Sequence, residues 1–239
     1  MPTPAQVLAA LLRSDPARPR VTFYDDAVNA GERIELSGKV LATWVSKAAN
    51  LLTEELEIGP GDVVRLDLPA PHWRSLYWAL AVWSVGATLD VRPAGPAQLL
   101  VTADPTRAAD ADAEAVALVT LAGLARRHPD PVPDDVIDEA RDLSSYGDQF
   151  EAWEEPSPDD DALVGDDGAL TYADVVPDLG WASRARVHVT GDQLSTLRHA
   201  LAVWAVDGSV VLVLGPDAGL MPARLESEGV TLDLAGPTE

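Results

Sequence analysis

VVRLDLPAPHWRSLYWALAVWSVGATLDV, residues 63–91, decides the fold. Val64, Leu66 and Leu68 alternate onto one face, so Val63–Leu68 reads as a strand. Pro69-Ala70-Pro71 cannot donate to a ladder and forces a loop. Arg74–Val85 then reads as a strongly apolar helix, with Gly86 where a left-handed cap belongs. Thr88–Val91 follows as a short buried strand. Strand, helix and strand in this order form one unit of a parallel sheet.

The same alternation extends outward in both directions. Upstream, Val7, Leu8, Leu11 and Leu12 stripe a helix, Ala5–Arg13, that Ser14-Asp15-Pro16 ends. Strands Val21–Tyr24 and Arg33–Leu36 flank the turn Asn29-Ala30-Gly31. Ser37 is a good N-cap for the helix carrying Leu41, Trp44, Val45, Ala48 and Leu52. Gly59-Pro60-Gly61-Asp62 is a turn by composition. Downstream, Leu99–Thr102 is a strand, and Arg126–Asp160 is a Pro-, Asp- and Glu-rich exposed connection with one short helix around Val136–Leu143. A second pass starts near Asp161. It predicts strands Leu163–Gly165, Val187–Thr190, Val210–Leu214 and Val230–Leu234, and helices Ala173–Val176, Gln193–Val206 and Pro222–Glu228. Ala79-Leu80-Ala81-Val82-Trp83 recurs 121 residues later as Ala200-Leu201-Ala202-Val203-Trp204, again before a small-residue turn and an apolar strand. The expected fold is therefore one α/β domain over residues 1–239. Its parallel sheets are Rossmann-like, with flanking helices, in two pseudo-repeated halves, 1–125 and 161–239, joined by the acidic connection 126–160.

Composition narrows the function. Of 239 residues, 17 are Lys or Arg and 39 are Asp or Glu, a net charge of −22. That charge repels phosphate backbones and anionic lipid, so neither nucleic acid nor membrane is expected as a partner. There is no cysteine, which removes disulfides, thiol nucleophiles and Cys-based zinc sites. The first twenty residues lack the charged and apolar regions of a secretory signal, and no apolar run nears the ~18 residues of a membrane span. A cytoplasmic location is expected.

Few side chains suggest chemistry. His72, His128, His188 and His199 have no metal-ligand spacing. His72 follows a strand end, where α/β folds place ligands; His188 and His199 read as structural. Asp110-Ala111-Asp112-Ala113-Glu114 fails the calcium-loop pattern, because Ala115 and Leu121 occupy its Gly and Glu positions. No nucleophile elbow, Walker loop or dinucleotide fingerprint is present. No catalytic residue and no metal site are assigned. Seven tryptophans outnumber two Phe and four Tyr. Trp78 and Trp83 lie about 140° apart on their helix, and core and partner-facing roles both stay open for them.

Several segments in order carry a family resemblance: Leu36-Ser37-Gly38, the helix to Asn50-Leu51-Leu52, Ile58-Gly59-Pro60-Gly61-Asp62-Val63-Val64, Leu68-Pro69 and Trp78–Leu89. Leu99–Asp104, Val203–Val213 and Arg224–Thr231 continue it. Together they resemble the N-terminal lobe of the adenylate-forming superfamily, which includes acyl-CoA synthetases, luciferases and peptide-synthetase adenylation domains. The likeness is greatest to a small group of single-domain bacterial proteins distantly related to those enzymes. The resemblance points to ATP or AMP, but no cofactor is assigned, because the family's phosphate loop is absent here. The superfamily holds ATP phosphates on a Ser/Thr/Gly-rich loop ending in Pro-Lys-Gly, just after the strand matching Ala162–Gly165. Here that position reads Gly165-Asp166-Asp167-Gly168-Ala169-Leu170-Thr171, with no Lys and two carboxylates. The superfamily's aromatic/His motif is shortened to Thr190-Gly191-Asp192. The chain ends at Glu239, so the later adenine and hinge motifs and the C-terminal domain with its adenylation Lys are expected to be missing.

These departures predict a non-catalytic homologue, a pseudoenzyme that binds a ligand or a protein. The other reading is a minimal AMP-forming acid ligase completed by a C-terminal domain in trans. Any small ligand is expected at the carboxyl ends of the parallel strands. The residues reaching that edge are Pro69, His72, Gly165, Asp166, Asp167, Gly168, Thr190, Gly191, Asp192, Gly215 and Asp217. A homodimer or a protein partner is expected to cover apolar surface left on Gln193–Val206 and the Val230–Leu234 strand.

Overall fold

The computed structural model describes residues 1–29 and 31–235, so Ala30 of the Asn29–Gly31 turn lies outside the described residues. The chain opens with α1 (Pro4–Ser14), β1 (Pro19–Asp25), β2 (Glu32–Ser37) and α2 (Gly38–Asn50), which Leu51–Glu55 extends as a π-helical turn. Next come β3 (Val63–Asp67), α3 (Trp73–Ser84), β4 (Thr88–Asp90), β5 (Ala97–Thr102), α4 (Pro105–Ala109) and β6 (Ala113–Leu118). β7 (Val136–Asp138) runs into α5 (Glu139–Asp142), and β8 (Asp161–Gly165) turns back as β9 (Gly168–Thr171). β10 (Arg186–His188), α6 (Gln193–Ala205), β11 (Ser209–Leu214), α7 (Met221–Ser227) and β12 (Leu232–Asp233) follow.

The chain gathers into two compact units. One holds Met1–Leu41, Pro69–Leu76 and Val176–Glu239, the other Ala42–Leu68 and Tyr77–Val175. Each has its own sheet. The first unit's sheet has the order β12-β10-β11-β1-β2 and is parallel except for β2. The second has the order β7-β6-β5-β3-β4-β8-β9 and is parallel except for β9. The sheets therefore do not follow the sequence halves 1–125 and 161–239. β1 pairs with β11 from the far end of the chain, and β8 joins β4. Strand partners are chosen by burial of facing surfaces, which sequence order does not set.

In the first unit, Val21, Phe23, Val187, Val210 and Leu212 line one sheet face and are fully buried. Leu197, Leu201, Val203 and Trp204 of α6 are buried as well, and α1 packs on α6 with Val7 and Leu11 buried. The apolar face expected to lie open on Gln193–Val206 is thus covered within this chain. β12 does form a sheet edge, reduced from the expected Val230–Leu234 to two residues. The two Ala-Leu-Ala-Val-Trp copies sit in α3 and α6, one before a parallel strand of each sheet. Trp83 Nε1 donates to the Ala162 carbonyl at 2.7 Å, and Trp204 Nε1 to the Arg20 carbonyl at 3.2 Å. Both rings, with Trp73 and Trp78, are core. Large apolar area with one donor that reaches a sheet carbonyl explains why Trp is used.

One carboxylate organises the amino-terminal ends of the first sheet. Arg20, whose side chain is fully buried, reaches Asp207 Oδ1 from Nη2 at 2.7 Å and the Asp207 carbonyl from Nη1 at 2.7 Å. Ser14 Oγ and Arg184 Nε donate to Asp207 Oδ2 at 2.9 and 3.2 Å. Asp207 itself sits at φ 60°, just past the end of α6.

Three sequence expectations change. Ala173–Val176 is a turn, not a helix: Leu170 and Thr171 are drawn into β9, and buried Tyr172 anchors the following residues by donating to the Ala87 carbonyl at 2.8 Å. The 126–160 segment is not wholly an exposed connection, because Val136–Asp138 adds to the sheet beside β6, and the helix is Glu139–Asp142 continued by a 3₁₀ turn over Leu143–Ser145. β6 was not expected at all. Its Ala113-Glu114-Ala115-Val116-Ala117-Leu118 has weak strand propensity and is held by pairing with β5. Other expectations hold: Ser37 Oγ accepts the Val40 N–H at 3.2 Å as a cap, and Gly86 has φ 83°. No helix among the described residues is long and apolar enough to cross a membrane.

Candidate functional site

The carboxyl edge of the first sheet is built from the ends of β1, β11 and β10. Asp25 ends β1 fully buried. Its carboxylate accepts the backbone N–H groups of Ala27, Val28 and Asn29 at 2.9, 2.7 and 2.9 Å. Burial pushes the Asp25 pKa up, but these donors more than offset it and hold the group below the usual carboxylate range. His72 lies against the same strand, its ring centroid 4.5 Å from that of Phe23. Nδ1 accepts the Arg74 backbone N–H at 3.1 Å, which leaves the ring proton on Nε2. Burial, then the charge of Arg74, push the His72 pKa down to about 3, so the ring is neutral. Nε2 is buried with no partner among the described residues. Pro69 is half-buried in the loop before it.

The other expected residues of this edge are engaged in shaping the loops. Gly191 has φ 121°, and Asp192 caps α6 by accepting the Ser195 N–H at 2.8 Å. That bond is the main cause holding the Asp192 carboxyl below its ordinary pKa. Thr190 is half-buried beside them. Gly215 has φ 61°, and a Cβ there would lie 2.6 Å from the Ala27 Cβ, so no other residue fits the turn. Asp217 accepts the Gly219 N–H at 2.8 Å and donates its own N–H to Asp26 at 3.3 Å. Sequence reasoning missed Gln193. Both polar atoms of its amide are buried at the start of α6 without a partner among the described residues. A polar residue following a helix cap carries no signal by itself, and only burial singles it out.

Gly165, Asp166, Asp167 and Gly168 belong to the second unit. Gly165 pairs with Gly168 across a two-residue hairpin, with Asp166 and Asp167 exposed at its tip. An open depression of about 700 Å³ beside it is lined by Arg92, Asp160, Asp161, Gly165, Asp166 and Gly168, among others. Arg92 is committed to Asp90 through Nε and Nη2, both at 3.0 Å. The backbone N–H groups of a strand hairpin alternate in direction, so they do not converge on a phosphate as a glycine-rich loop's do. The candidate residues thus fall into two sets, one on each unit.

With this geometry in view, the comparisons with known proteins fall into place. No family model matches the chain. A TIGR03089 family protein of Mycobacterium tuberculosis is 36% identical over 244 residues, which cover 94% of this chain and 95% of that one. The chain belongs to the TIGR03089 family. Solved structures add the fold of this TIGR03089 chain. Acetoacetyl-CoA synthetase from Streptomyces lividans superposes with a TM-score of 0.75 at 16% identity, over 97% of this chain and 42% of that one. The Brucella canis acyl-CoA synthetase gives 0.72 at 18%, over 96% and 46%. The Klebsiella oxytoca NpsA N-terminal subdomain gives 0.63 at 17%, over 98% and 59%. The TIGR03089 chain therefore has the fold of the N-terminal part of adenylate-forming enzymes and spans roughly half the length of these solved chains.

Proposed function

We propose that this chain is a non-catalytic relative of the adenylate-forming enzymes, binding a small ligand at the carboxyl edge of the first unit's sheet without activating it with ATP. The carrying observation is the hairpin Gly165–Gly168. Where the fold's relatives would cradle phosphate, a two-residue turn presents Asp166 and Asp167. Carboxylates at that place repel a polyphosphate, and no Lys stands there to attract one. Ligand binding is supported by His72 Nε2 and the Gln193 amide, buried polar atoms at the sheet edge with no partner among the described residues. An N-terminal part of this fold can hold such a ligand by itself: the NpsA subdomain is solved in complex with 3-hydroxybenzoyl-AMSN.

Two measurements test the reading. Pyrophosphate exchange with a panel of fatty and aromatic acids stays at background. In thermal shift, Mg–ATP leaves the melting point unchanged, while adenosine, AMP or 3-hydroxybenzoyl-AMSN raises it. A ligand at 100 times its Kd adds roughly 2.7 kcal/mol, a rise of about 5–11 °C for a chain of this size. Exchange above background by the chain alone would overturn the proposal, and exchange only after adding a separate C-terminal adenylating domain would establish the ligase-in-trans reading instead.

A further inference from the structure

The second unit's sheet has two unlike faces. Val64, Leu66, Leu99 and Val101 point to one side and are at most 2% exposed. On the other side stand Val63, Arg65 and Asp67 of β3, with Leu100 of β5 beside Arg65. This side is not sealed. The loop Pro93–Gly95, the short α4 and the turn Asp110–Asp112 wall an open cavity of about 320 Å³ over Arg65 and Leu100. That volume is at the lower end of small-ligand sites, ~300–1,000 Å³.

An arginine in the middle of a parallel strand is expensive unless it is paired. Arg65 is only 6% exposed. Its Nη2 meets Asp90 Oδ2 at 3.2 Å and, at 3.4 Å, the Pro96 carbonyl. Asp90 is already matched by Arg92, which donates its backbone N–H, Nε and Nη2 to the same carboxylate at 2.9, 3.0 and 3.0 Å. Two guanidiniums share one carboxylate, so the charge under the cavity is not cancelled. Arg65 Nε is buried and has no partner among the described residues. Gly95, at φ 135°, packs on the guanidinium so closely that a Cβ would come within 2.9 Å of Nη2. The cavity's other charged lining residues are Arg107, paired with Asp67 at 3.2 Å, and the exposed carboxylates Asp110 and Asp112, which form no ion pair among the described residues.

We propose that this cavity binds a small zwitterion of the free amino-acid class, its carboxylate on Arg65 and its ammonium on Asp110 and Asp112. The surplus cation beneath takes one monoanionic group. The two acidic wall residues favour a cationic group a few ångströms away and repel dianions such as phosphate. The site lies wholly in the second unit and does not depend on the proposed function above.

The test is NMR titration of the full chain, following the Arg65 Nε–H and Gly95 N–H signals. The common L-amino acids are added one at a time, with propionate and inorganic phosphate as probes lacking the ammonium. At least one amino acid is expected to shift both signals, with propionate binding at least roughly tenfold more weakly, the worth of one charge-assisted hydrogen bond. Phosphate is expected to leave both signals in place. The double variant Asp110→Asn/Asp112→Asn changes only exposed side chains and should weaken the amino acid by roughly tenfold while sparing propionate. The proposal is overturned if no amino acid moves the two signals, if propionate or phosphate binds as tightly, or if the double variant binds the amino acid unchanged.

Discussion

Asp207 is expected to be the costliest single carboxylate to remove from the first unit. It compensates Arg20, whose side chain is fully buried, at 2.7 Å, whereas Arg18 and Arg184 on the same group are 27% and 69% exposed. Removing one partner of a buried pair strands the other charge, at about 3–5 kcal/mol. The half-buried Arg18 and the exposed Arg184 are more screened and add little. Asp207→Ala should therefore cost about 3–5 kcal/mol, which at about 2–4 °C per kcal/mol lowers the melting point by roughly 6–20 °C. Asp207→Asn separates the causes. Asn tolerates the left-handed backbone at φ 60° and keeps an acceptor for Arg20, so it should cost less, about 1–3 kcal/mol. Burial pushes the Asp207 pKa up, but hydrogen bonds from Ser14 and Arg20, with the Arg20 charge, hold it below the usual range. A depressed carboxylate gives stability that is present above its unfolded pKa and lost as pH falls through the folded one. The gap between wild type and Asp207→Asn should accordingly narrow below about pH 4. Urea unfolding at pH 7, at low and high salt, and again between pH 3 and 4 reads all of this. An Ala variant within about 1 kcal/mol of wild type, or a loss that high salt abolishes, would refute the reasoning, since a buried pair is little screened.

Three further outcomes follow from particular contacts. Tyr172, whose pKa burial drives well above its ordinary value, donates to the Ala87 carbonyl at 2.8 Å, so Tyr172→Phe should cost about 1–3 kcal/mol in chemical unfolding by leaving that acceptor bare. His72, with its pKa pushed down from 6.5 to about 3, should show no ring titration by NMR between pH 5 and 8. Because the unfolded ring takes up its proton first, its contribution should make stability rise with pH between about 3 and 6.5, by up to about 1.4 kcal/mol per unit. Gly208→Ala places a Cβ 2.5 Å from the Ala185 carbonyl oxygen and 2.7 Å from that of Val203, so it should lower the melting point through overpacking worth about 1–3 kcal/mol or more; a variant as stable as wild type by calorimetry would show that the backbone yields there.

Local chemistry in the sequence determined the elements that bury a periodic face. Val63–Leu68, the apolar α3 and the Gly86 cap were legible because alternation, helical spacing and a left-handed glycine are properties of short windows. The same holds for Ser37 and α2, and for the recurrence that placed a Trp-anchored helix in each unit. The acidic turn with Asp166 and Asp167 and no Lys was equally readable, because charge needs no coordinates. What only tertiary structure decided is pairing and solvent access. The Ala-rich β6 exists because β5 offers it a ladder, and Val136–Asp138 is a strand because β6 in turn offers an edge. The two units are assembled from distant segments, since a strand takes the neighbour that completes its buried face, wherever that neighbour lies in the chain. Gln193, Arg65 and Asp207 look like ordinary polar surface in the sequence. Burial makes the first an unpartnered amide, the second a surplus cation and the third the counter-charge of a buried arginine, because the energy of a polar group depends on how much water it has lost.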